Sequence, residues 1–325
     1  MPTQKLSVVI VSWNNRKFVD FCLTSLTEQT VSPLEIIWVD NASSDDTVEY
    51  IRKNYPSVTL LPQDENLFFA KGNNVGIKRA LKNSKCEYIL TLNTDARLDT
   101  KWVEVITDFL DGHDDAACAQ GLTLQDGDAT KVDSRGIKLD KRGTPIQLGY
   151  NESRKNTYEI RQVFGVNAAA AAYTRTFLEK QPFGTEYFDE DFSMYLEDLD
   201  ISARAVMLGY TNWFVPEAVA YHVGSASSGG NPKFMLYMTH RNLPLLLWNN
   251  FPLRMIVFAL PHIFRAEVLR LLNLARGGHY HFGWAVIRGR VAGLALIPKS
   301  SLKRRKILDA NRYDTNRTNE LMMQS

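Results

Sequence analysis

The chain has 325 residues, 45% of them hydrophobic, which is enough for a large buried core and predicts a folded globular protein. Its three cysteines, Cys22, Cys86 and Cys118, form no CxxC pair, which excludes a disulfide framework and a cysteine zinc site and favours a reducing compartment. No uncharged apolar stretch reaches about 18 residues, so we expect no membrane-spanning helix. We interpret the apolar run at residues 6–11 as a first core strand and not as a signal peptide.

The net charge of +2 conceals an uneven distribution along the chain. Residues 231–310 carry 13 Lys and Arg residues against two acids, Glu267 and Asp309, which gives this part a charge of +11. These basic residues alternate with aliphatic and aromatic stretches. Such a mixture favours an anionic membrane surface over the phosphate backbone of a nucleic acid, so we expect no nucleic-acid binding.

Short β-rich runs alternate with helical patterns in the first 119 residues. The predicted strands are LSVVIVS, LEIIWVD, SVTLL and EYILTLN, and the predicted helices are a segment ending at Gln29, then 44–54, 70–82 and 100–110. This alternation predicts an α/β fold with a Rossmann-like, mostly parallel central sheet and helices on both faces. Open sheets of this kind bind ligands at the carboxyl ends of their strands.

The second half of the chain returns to the same sheet. Residues 120–160 are polar and contain several glycines, which predicts a hairpin or a mobile flap. FGVNAAAAAY and NWFVPEAVAYH predict two strands that bracket an acidic segment and a helix over 197–208. From Lys233 onward the pattern predicts long amphipathic helices with interruptions at Pro244, Pro252 and Pro261. We therefore divide the chain into an α/β domain, 1–230, and a basic helical C-terminal region, 231–325.

Polar side chains follow the first two predicted strands directly. Ser12 and Asn14 come after the first strand, and Asp40 and Asn41 come after the second. A carboxylate at this edge of a sheet could accept hydrogen bonds from a nucleobase imide or a ribose hydroxyl. The alternative is that Asp40 or Ser43 caps the next helix.

Two more polar clusters follow. Residues 66–77, NLFFAKGNNVGI, combine glycines that allow close backbone approach with amides at Asn73 and Asn74 that suit a ribose or a phosphate; an ordinary helix start is the alternative. Asn93-Thr94-Asp95 ends an apolar run. Its carboxylate is placed to hold a divalent cation that bridges diphosphate oxygens, and a turn is the alternative.

The segment FDEDFSMYLEDLD is rich in acidic residues, namely Asp189, Glu190, Asp191, Glu197, Asp198 and Asp200. Apolar residues alternate through it, so part of it is predicted to be buried and the rest to form a solvated surface. A buried carboxylate at a helix start suits a general base. His222 ends the next predicted strand, where it could join a carboxylate on a metal or have a structural role.

Taken together, these segments resemble the family 2 glycosyltransferases of the GT-A fold, especially the bacterial rhamnosyltransferase-like branch that builds cell-surface polysaccharides. The resemblance covers residues 5–224 and rests on six motifs in the family order: VIVSWNN, WVDNASSDDT, ENLFFAKGNNVGI, LNTDARLDTKWV, EDFSMYLEDLDISARAVMLGY and VAYHVGS. One departure is Asn93, which stands where a full DxD motif has its first carboxylate. It leaves the identity of the metal open.

The resemblance implies a role for each matching position. Asp95 and His222 would hold a divalent metal, Mg²⁺ or Mn²⁺, and Asp198 would be the base that takes the acceptor proton. Asp200 would hold the helix start or Arg204. The nucleotide sugar would be bound by Ser12, Asn14, Asp40, Asn41, Asn66, Ala70, Asn73, Asn74, Asn93, Thr94 and Glu197.

The implied activity is that of a metal-dependent, inverting glycosyltransferase. Its donor would be a deoxythymidine diphosphate (dTDP) or uridine diphosphate (UDP) sugar, with rhamnose favoured, and its acceptor a hydroxyl of a glycan or a polyprenyl-linked molecule. A sugar-nucleotide pyrophosphorylase would need a glycine-rich basic loop near the N-terminus, and VSWNNRKF is not one. A catalytically inactive scaffold is the other alternative, against which stands the presence of Asp95, Asp198 and His222.

Two interpretations of the C-terminal region remain open at this point. Its helices could dock on the anionic inner leaflet, which would make this a cytoplasmic protein bound peripherally to the inner face of the cell membrane. Alternatively, they could pack on the catalytic domain or form a homodimer contact.

Overall fold

The computed structural model describes residues 4–140, 143–224 and 231–310. The predicted boundary at residue 230, and residues 311–325 of the predicted C-terminal region, lie outside these ranges. The first half contains β1 (Leu6–Ser12), α1 (Val19–Thr27), β2 (Glu35–Asp40), α2 (Thr47–Asn54), β3 (Thr59–Pro62), α3 (Phe68–Ala80), β4 (Tyr88–Asn93), β5 (Ala96–Leu98), α4 (Trp102–Asp111) and β6 (Ala116–Gln125). The second half contains β7 (Asp128–Ser134), β8 (Ile137–Leu139), β9 (Pro145–Gln147), β10 (Arg161–Val163), β11 (Ala170–Thr174), α5 (Arg175–Glu179), α6 (Glu197–Met207), β12 (Thr211–His222), α7 (Pro232–Asn250), α8 (Leu253–Arg276) and α9 (Tyr280–Asp309).

A single large sheet organises the α/β part. Its strand order is β10-β12-β6-β11-β4-β1-β2-β3, with β5 paired to β12 and β7 paired to β6. Strands β3, β2, β1 and β4 are parallel, as the alternation predicts, whereas β11 runs antiparallel between β4 and β6. The sheet is therefore parallel in its N-terminal half and mixed beyond it. The predicted α/β class with a helical C-terminal region is confirmed.

The sheet is buried on both faces, which explains the near-continuous apolar run of β1. Val8 and Ile10 pack into one cluster with α1 and α4, and Val9 packs into a second cluster with α3. Side chains of a strand alternate between faces, so one short sequence supplies both layers. The result is a rigid platform at whose edge β1, β2 and β4 end side by side.

The two glycines of the NLFFAKGNNVGI motif serve packing between α3 and β1. A Cβ atom on Gly72 would lie 2.8 Å from Val11 Cγ1, and one on Gly76 would lie 2.3 Å from Val9 Cγ1. Both distances are shorter than carbon atoms tolerate, so only glycine allows the helix to lie this close to the strand. The expectation that these glycines open the backbone to a ligand is therefore corrected.

The segment 120–160, predicted to be a hairpin or a mobile flap, begins inside the central sheet. Residues 120–125 belong to β6, a buried central strand, and the chain then turns back through β7 as a hairpin. A smaller two-stranded sheet, β8 and β9, follows. The flap expectation was wrong for β6 because its polar residues, such as Gln120, are buried and hydrogen-bonded within the sheet.

The C-terminal helices are longer than their prolines predicted. Pro244 lies inside α7 and Pro261 inside α8, and only Pro252, the residue before α8, separates two helices. Packing compensates for the hydrogen bond that each internal proline removes. Helix α9 lies directly against α7, because a Cβ atom on Gly293 would stand 2.1 Å from the Arg241 carbonyl oxygen.

Helix α7 belongs to the core of the α/β part. Its leucines at 243, 245, 246 and 247 and Phe251 pack into one cluster with Phe192, Leu199 and Met207. Buried amides add specific contacts, because Asn250 donates to Asp200 at 2.7 Å and Asn249 donates to Asp189 at 3.2 Å. Asp200 also accepts from Arg204 at 3.0 Å, as expected. No helix within the described ranges is both long and apolar enough to cross a membrane.

Candidate active site

The first of two adjacent clefts lies where β1 and β2 end. We call it the donor cleft; its volume is about 370 Å³ and its walls include Ser12, Trp13, Asn41, Asn66 and Phe68. Within the described chain, Ser12 Oγ and Asn41 Oδ1 are buried without a hydrogen-bond partner. Buried polar atoms are normally paired, so these two oxygens mark where a polar ligand would complete the site. Ser12, Asn41 and Asn66 thus lie together as predicted.

Asp40 and Asn14 build the rim of this cleft and do not line it. Asp40 is buried and accepts from the Ser43 amide at 2.9 Å and from the Ser43 hydroxyl at 2.6 Å. The Ser43 hydroxyl oxygen in turn accepts from the backbone amide of Asn14 at 2.9 Å. Asn14 Oδ1 accepts from the backbone amide of Ser44 at 2.7 Å. Burial raises the pKa of Asp40. The capping alternative for Asp40 does not hold, because α2 begins after Asp46.

The asparagines of α3 face the protein interior. Asn73 donates to the Phe69 carbonyl of its own helix at 2.9 Å. Asn74 donates to the Phe188 carbonyl at 2.8 Å and accepts from the Phe188 amide at 2.8 Å, so its amide holds the acidic segment. The Ala70 amide donates to the Ser193 carbonyl at 2.8 Å. Neither Asn73 nor Asn74 lines either cleft, contrary to expectation, because both amides are engaged by backbone.

The second cleft, which we call the reaction cleft, has a volume of about 360 Å³. Asn93 from β4, His222 from β12 and Glu197 and Asp198 from α6 all line it. The sheet and α6 thus bring together residues from three segments that lie far apart in the sequence. The two clefts share Phe69 and Met194 as a common wall, so a ligand in one lies next to a ligand in the other.

Two adjacent carboxyl groups at the start of α6 differ in protonation. Burial raises the pKa of Asp198 to about 6, although hydrogen bonds from the Leu199 amide at 2.8 Å and the Ala168 amide at 3.5 Å act to lower it. Burial and then the charge of Asp198 raise the pKa of Glu197 well above its usual range. Environments that separate two such pKa values assign the acid and the base. Asp198 is mostly ionised near neutral pH and suits a base, whereas the environment of Glu197 favours its protonated form.

The loop before Asp198 has a strained backbone. Ser193, Tyr195 and Leu196 have φ values of 61°, 67° and 66°, which non-glycine residues rarely adopt. Strain of this kind persists only where neighbouring contacts enforce it. Here the side-chain amide of Asn242, on α7, donates to the carbonyls of Phe192, Met194 and Tyr195 at 2.8, 2.9 and 2.7 Å. Helix α7 therefore shapes the loop that leads into the base.

Asp95 and His222 lie together beside the reaction cleft. Asp95 Oδ1 is 3.4 Å from His222 Nε2, and Asn93 Nδ2 is 3.4 Å from the same nitrogen. On its other side, His222 Nδ1 is 3.0 Å from Asp133 Oδ2. Burial lowers the pKa of His222, but contacts with Asp133 and Asp95 outweigh it and raise the pKa to about 10, so a cation bound here would have to displace the proton from Nε2. Thr94, whose buried Oγ1 has no partner in the described chain, lies between Asn93 and Asp95.

These residues fit a divalent cation. Two donors bonded to one ion at about 2.1 Å and at a right angle lie about 3 Å apart, close to the 3.4 Å between Asp95 Oδ1 and His222 Nε2. A carboxylate on the far nitrogen of a ligating histidine orients the ring, which is the position of Asp133. Among the described residues, no group of three or more His, Cys, Asp or Glu side chains could hold a metal ion, so any ion here would have two protein ligands. Two protein ligands leave coordination positions for diphosphate oxygens and water.

Two functional residues escaped the sequence interpretation. Asp133 contacts His222 from β7, a strand that was assigned to a flap. Asn242 lies in the apolar run of α7, where a buried amide needs partners, so its position in YMTHRNLPLLL carried a usable signal. What the sequence could not supply was the location of those partners, the carbonyls of a loop about 50 residues upstream.

Comparisons with known proteins agree with this geometry. The family model described as "Glycosyl transferase family 2" matches residues 7–181. An N-acetylglucosaminyl-diphospho-decaprenol L-rhamnosyltransferase of Mycobacterium tuberculosis is 25% identical over 279 residues, which cover 78% of this chain and 89% of that protein. The O-antigen chain rhamnosyltransferase RfbN of Salmonella typhimurium is 23% identical over 221 residues, 67% of this chain and 66% of that protein.

A solved structure extends the likeness to the fold. The mannosyltransferase PcManGT from Pyrobaculum calidifontis, in complex with GDP-Man and Mn²⁺, superposes with a TM-score of 0.54 at 16% identity, over 98% of this chain and 84% of that chain. This supports the GT-A fold. Because the family model spans more than half of the chain, the protein belongs to glycosyl transferase family 2, with rhamnosyltransferases among its relatives.

Proposed function

We propose that the protein is an inverting, metal-dependent glycosyltransferase that moves rhamnose from dTDP-rhamnose onto a hydroxyl of a glycan or a polyprenyl-linked acceptor. Asp198 carries this proposal. It stands at the start of α6, faces a cleft that opens onto the donor cleft, and has a pKa of about 6. A base is most effective when its pKa lies near the working pH, and burial brings Asp198 into that range.

The donor cleft suits the nucleoside part of the donor. Ser12 Oγ and Asn41 Oδ1 would bind the deoxyribose hydroxyl or the base, and Trp13 offers an exposed aromatic face for stacking. Asp40 and Asn14 hold this rim through Ser43. The diphosphate would then extend along the shared wall at Phe69 and Met194 toward Asp95 and His222.

Asp95 and His222 would hold Mg²⁺ or Mn²⁺. When bound, the ion would neutralise the charge that develops on the departing diphosphate. Asn93 lies beside the same histidine nitrogen and would hydrogen-bond a diphosphate or sugar oxygen. The Mn²⁺ that accompanies GDP-Man in the Pyrobaculum structure supports this assignment.

The transfer is a single displacement. The acceptor oxygen forms a bond to the anomeric carbon as the bond from that carbon to the diphosphate oxygen breaks, and the acceptor proton passes to Asp198. Attack from the face opposite the leaving group inverts the anomeric configuration. Glu197, protonated at the cleft wall, can donate to a sugar hydroxyl while adding no charge. Positioning of both substrates supplies much of the rate.

Two relatives support the proposed acceptor class. The mycobacterial rhamnosyltransferase acts, by its name, on a sugar joined through a diphosphate to decaprenol, and RfbN by its name extends the O-antigen chain. We place this protein in cell-surface polysaccharide synthesis, at the inner face of the cell membrane where polyprenyl-linked acceptors are elongated.

Two assays test the function. Calorimetric titration with dTDP, UDP and GDP, each with Mn²⁺ and with EDTA, should show metal-dependent binding of dTDP. Incubation with dTDP-rhamnose and a short-chain prenyl-diphosphate GlcNAc acceptor should yield a rhamnosylated product whose anomeric configuration, measured by NMR, is opposite to that of the donor. Retention of configuration would contradict the single displacement, and tighter binding of UDP or GDP would redirect the donor assignment.

A further inference from the structure

Helix α8 packs on the protein through Met255, Ile256 and Ile263, which lie half-buried against the core, and it exposes most of its other apolar side chains. The structure describes every residue of this helix, and among them Ala259 alone is fully buried. Phe258 is 61% exposed and Phe264 is 72% exposed. The same exposed set includes Leu253, Val257, Leu260 and Leu272. An apolar surface of this extent marks a binding site for something apolar.

Helix α9 adds a second exposed apolar stripe. Its members are Tyr280, Trp284, Ile287, Val291 and Leu294, spaced four, three, four and three residues apart. This spacing places them on one face of the helix. Gly289 and Gly293 carry the closely packed opposite contact with α7, so the stripe is no part of the core.

The charges around these faces have one sign. Arg265 and Arg276 on α8 and Arg288 on α9 are exposed. The acids of the two helices are Glu267 and Asp309. Glu267 lies within ion-pair distance of His240, at 2.8 Å, and of Arg290, and Asp309 is 3.7 Å from Arg305. A second copy of the chain would therefore set arginines against arginines, whereas an anionic surface would complement them.

We propose that the exposed faces of α8 and α9 form a docking surface for a membrane that contains anionic phospholipids. Basic helices with one apolar face lie in the plane of the interface, with apolar side chains below the headgroups and arginines at the phosphates. This inference rests on the proposed function for its purpose, because docking would bring the reaction cleft to a polyprenyl-linked acceptor. Its test needs neither donor nor acceptor.

Flotation of the full chain with vesicles measures the docking. Wild-type protein should bind vesicles of phosphatidylglycerol and phosphatidylcholine at least about tenfold more tightly than vesicles of phosphatidylcholine alone, and high salt should reduce the difference. Phe258→Ser with Phe264→Ser should weaken binding to both vesicle types by about tenfold or more, because two inserted rings are lost. Arg265→Gln with Arg276→Gln should remove about tenfold of the anionic preference.

Matched controls use equally exposed residues on the α/β part. Tyr150→Ser with Ile160→Ser removes two exposed apolar side chains, and Arg52→Gln with Lys53→Gln removes two exposed charges. Both controls should float like the wild type. Because all of these side chains are exposed, circular dichroism and melting temperature should be unchanged in every variant.

Three outcomes would overturn the docking surface. One is absence of wild-type binding to anionic vesicles, and another is binding that the α8 variants leave intact. The third is a dimer in light scattering that the Phe258→Ser, Phe264→Ser variant dissociates while vesicle binding is absent, since that would make the surface an interface between copies. Transfer to a water-soluble acceptor, assayed without vesicles, tests the proposed function separately. If the wild type binds vesicles but shows no transfer to the water-soluble acceptor, the proposed function is contradicted and the docking surface is not.

Discussion

The donor cleft and the reaction cleft lie side by side but are built in different ways. The polar wall of the donor cleft comes from the ends of β1 and β2 and from the start of α3, while Met194, Asn231 and Phe234 close it from the C-terminal half. Hydrogen bonds between the two strand ends hold the polar wall. The reaction cleft is assembled from β4, β12 and α6. The loop at 193–196 is held by Asn242, and the ring of His222 is held by Asp133. Contacts between neighbouring strand ends hold the polar wall of the first cleft, and polar contacts from more distant elements hold the second.

This difference separates binding from chemistry. Residues that are remote from both ligands, such as Asn242, can affect the position of Asp198 without touching the donor cleft. Substitutions in the two clefts should therefore divide into those that change transfer with donor binding intact and those that change donor binding. Each substitution below tests one side of that division.

The largest effect is expected from Asp198→Asn. Without a base, the acceptor hydroxyl must attack with its proton in place, so kcat should fall by about 10³-fold. Donor affinity, measured by calorimetry, should stay within about twofold because Asp198 does not line the donor cleft. Asp191→Asn, in the same acidic segment but outside both clefts, is the matched control and should keep its kcat. Substantial transfer by Asp198→Asn would remove the base assignment.

The same substitution should stabilise the protein near neutral pH. Burial raises the pKa of Asp198 from 3.8 to about 6, so the folded state holds this proton more tightly than the unfolded state. The contribution of Asp198 to stability therefore falls as pH rises from about 4 to about 6, by about 3 kcal/mol. Differential scanning calorimetry should show Asp198→Asn melting about 5 °C above the wild type at about pH 7.5 and level with it at about pH 4. Transfer by the wild type should rise over the same interval, as the base ionises.

Asp95→Ala tests whether a metal at the reaction cleft contributes to binding of the donor. Loss of one of two protein ligands should weaken dTDP binding about 100-fold in the presence of Mn²⁺ and leave binding in EDTA unchanged. Asp126→Ala is the control, because Asp126 is ion-paired with Arg97 at the surface, at 2.8 Å. Calorimetry with and without EDTA separates the two effects. Equal weakening in EDTA would show that Asp95 acts on the fold and not on a metal.

The features that could be predicted from the sequence are those set by local patterns, and the features that could not are those set by tertiary packing. The strands through β4 and the placement of Ser12 and Asn41 follow from apolar runs and the polar residues after them, so local patterns sufficed. Asn73 and Asn74 misled, because an amide suits backbone carbonyls as well as it suits a ribose. The antiparallel insertion of β11 and the reach of Asn242 depend on tertiary packing, which periodicity does not encode.

Asn242→Ala tests whether α7 controls the chemistry. Without its three hydrogen bonds the loop at 193–196 should relax from its left-handed conformation and shift Asp198, lowering kcat by about tenfold while donor affinity is kept. Asn249→Ala is the matched control, since Asn249 is an equally buried amide on the same helix that bonds Asp189 and Ser300 instead. Both variants should lose thermal stability. Only Asn242→Ala should lose kcat, and a similar loss in Asn249→Ala would reduce Asn242 to a structural residue.

The smallest effect is expected in the donor cleft, from Ser12→Ala. The change removes a buried hydroxyl that has no partner in the described chain, so the free protein should be no less stable and should gain slightly in melting temperature. The nucleotide would lose one hydrogen bond, which should weaken dTDP binding about fivefold and leave kcat at saturating donor unchanged. Ser7→Ala, a buried serine at the opposite end of β1 whose side chain contacts Cys86, is the control and should leave dTDP binding unchanged. If Ser12→Ala instead lowered kcat, the donor cleft would take part in the chemistry. Binding and transfer would then not be divided between the two clefts.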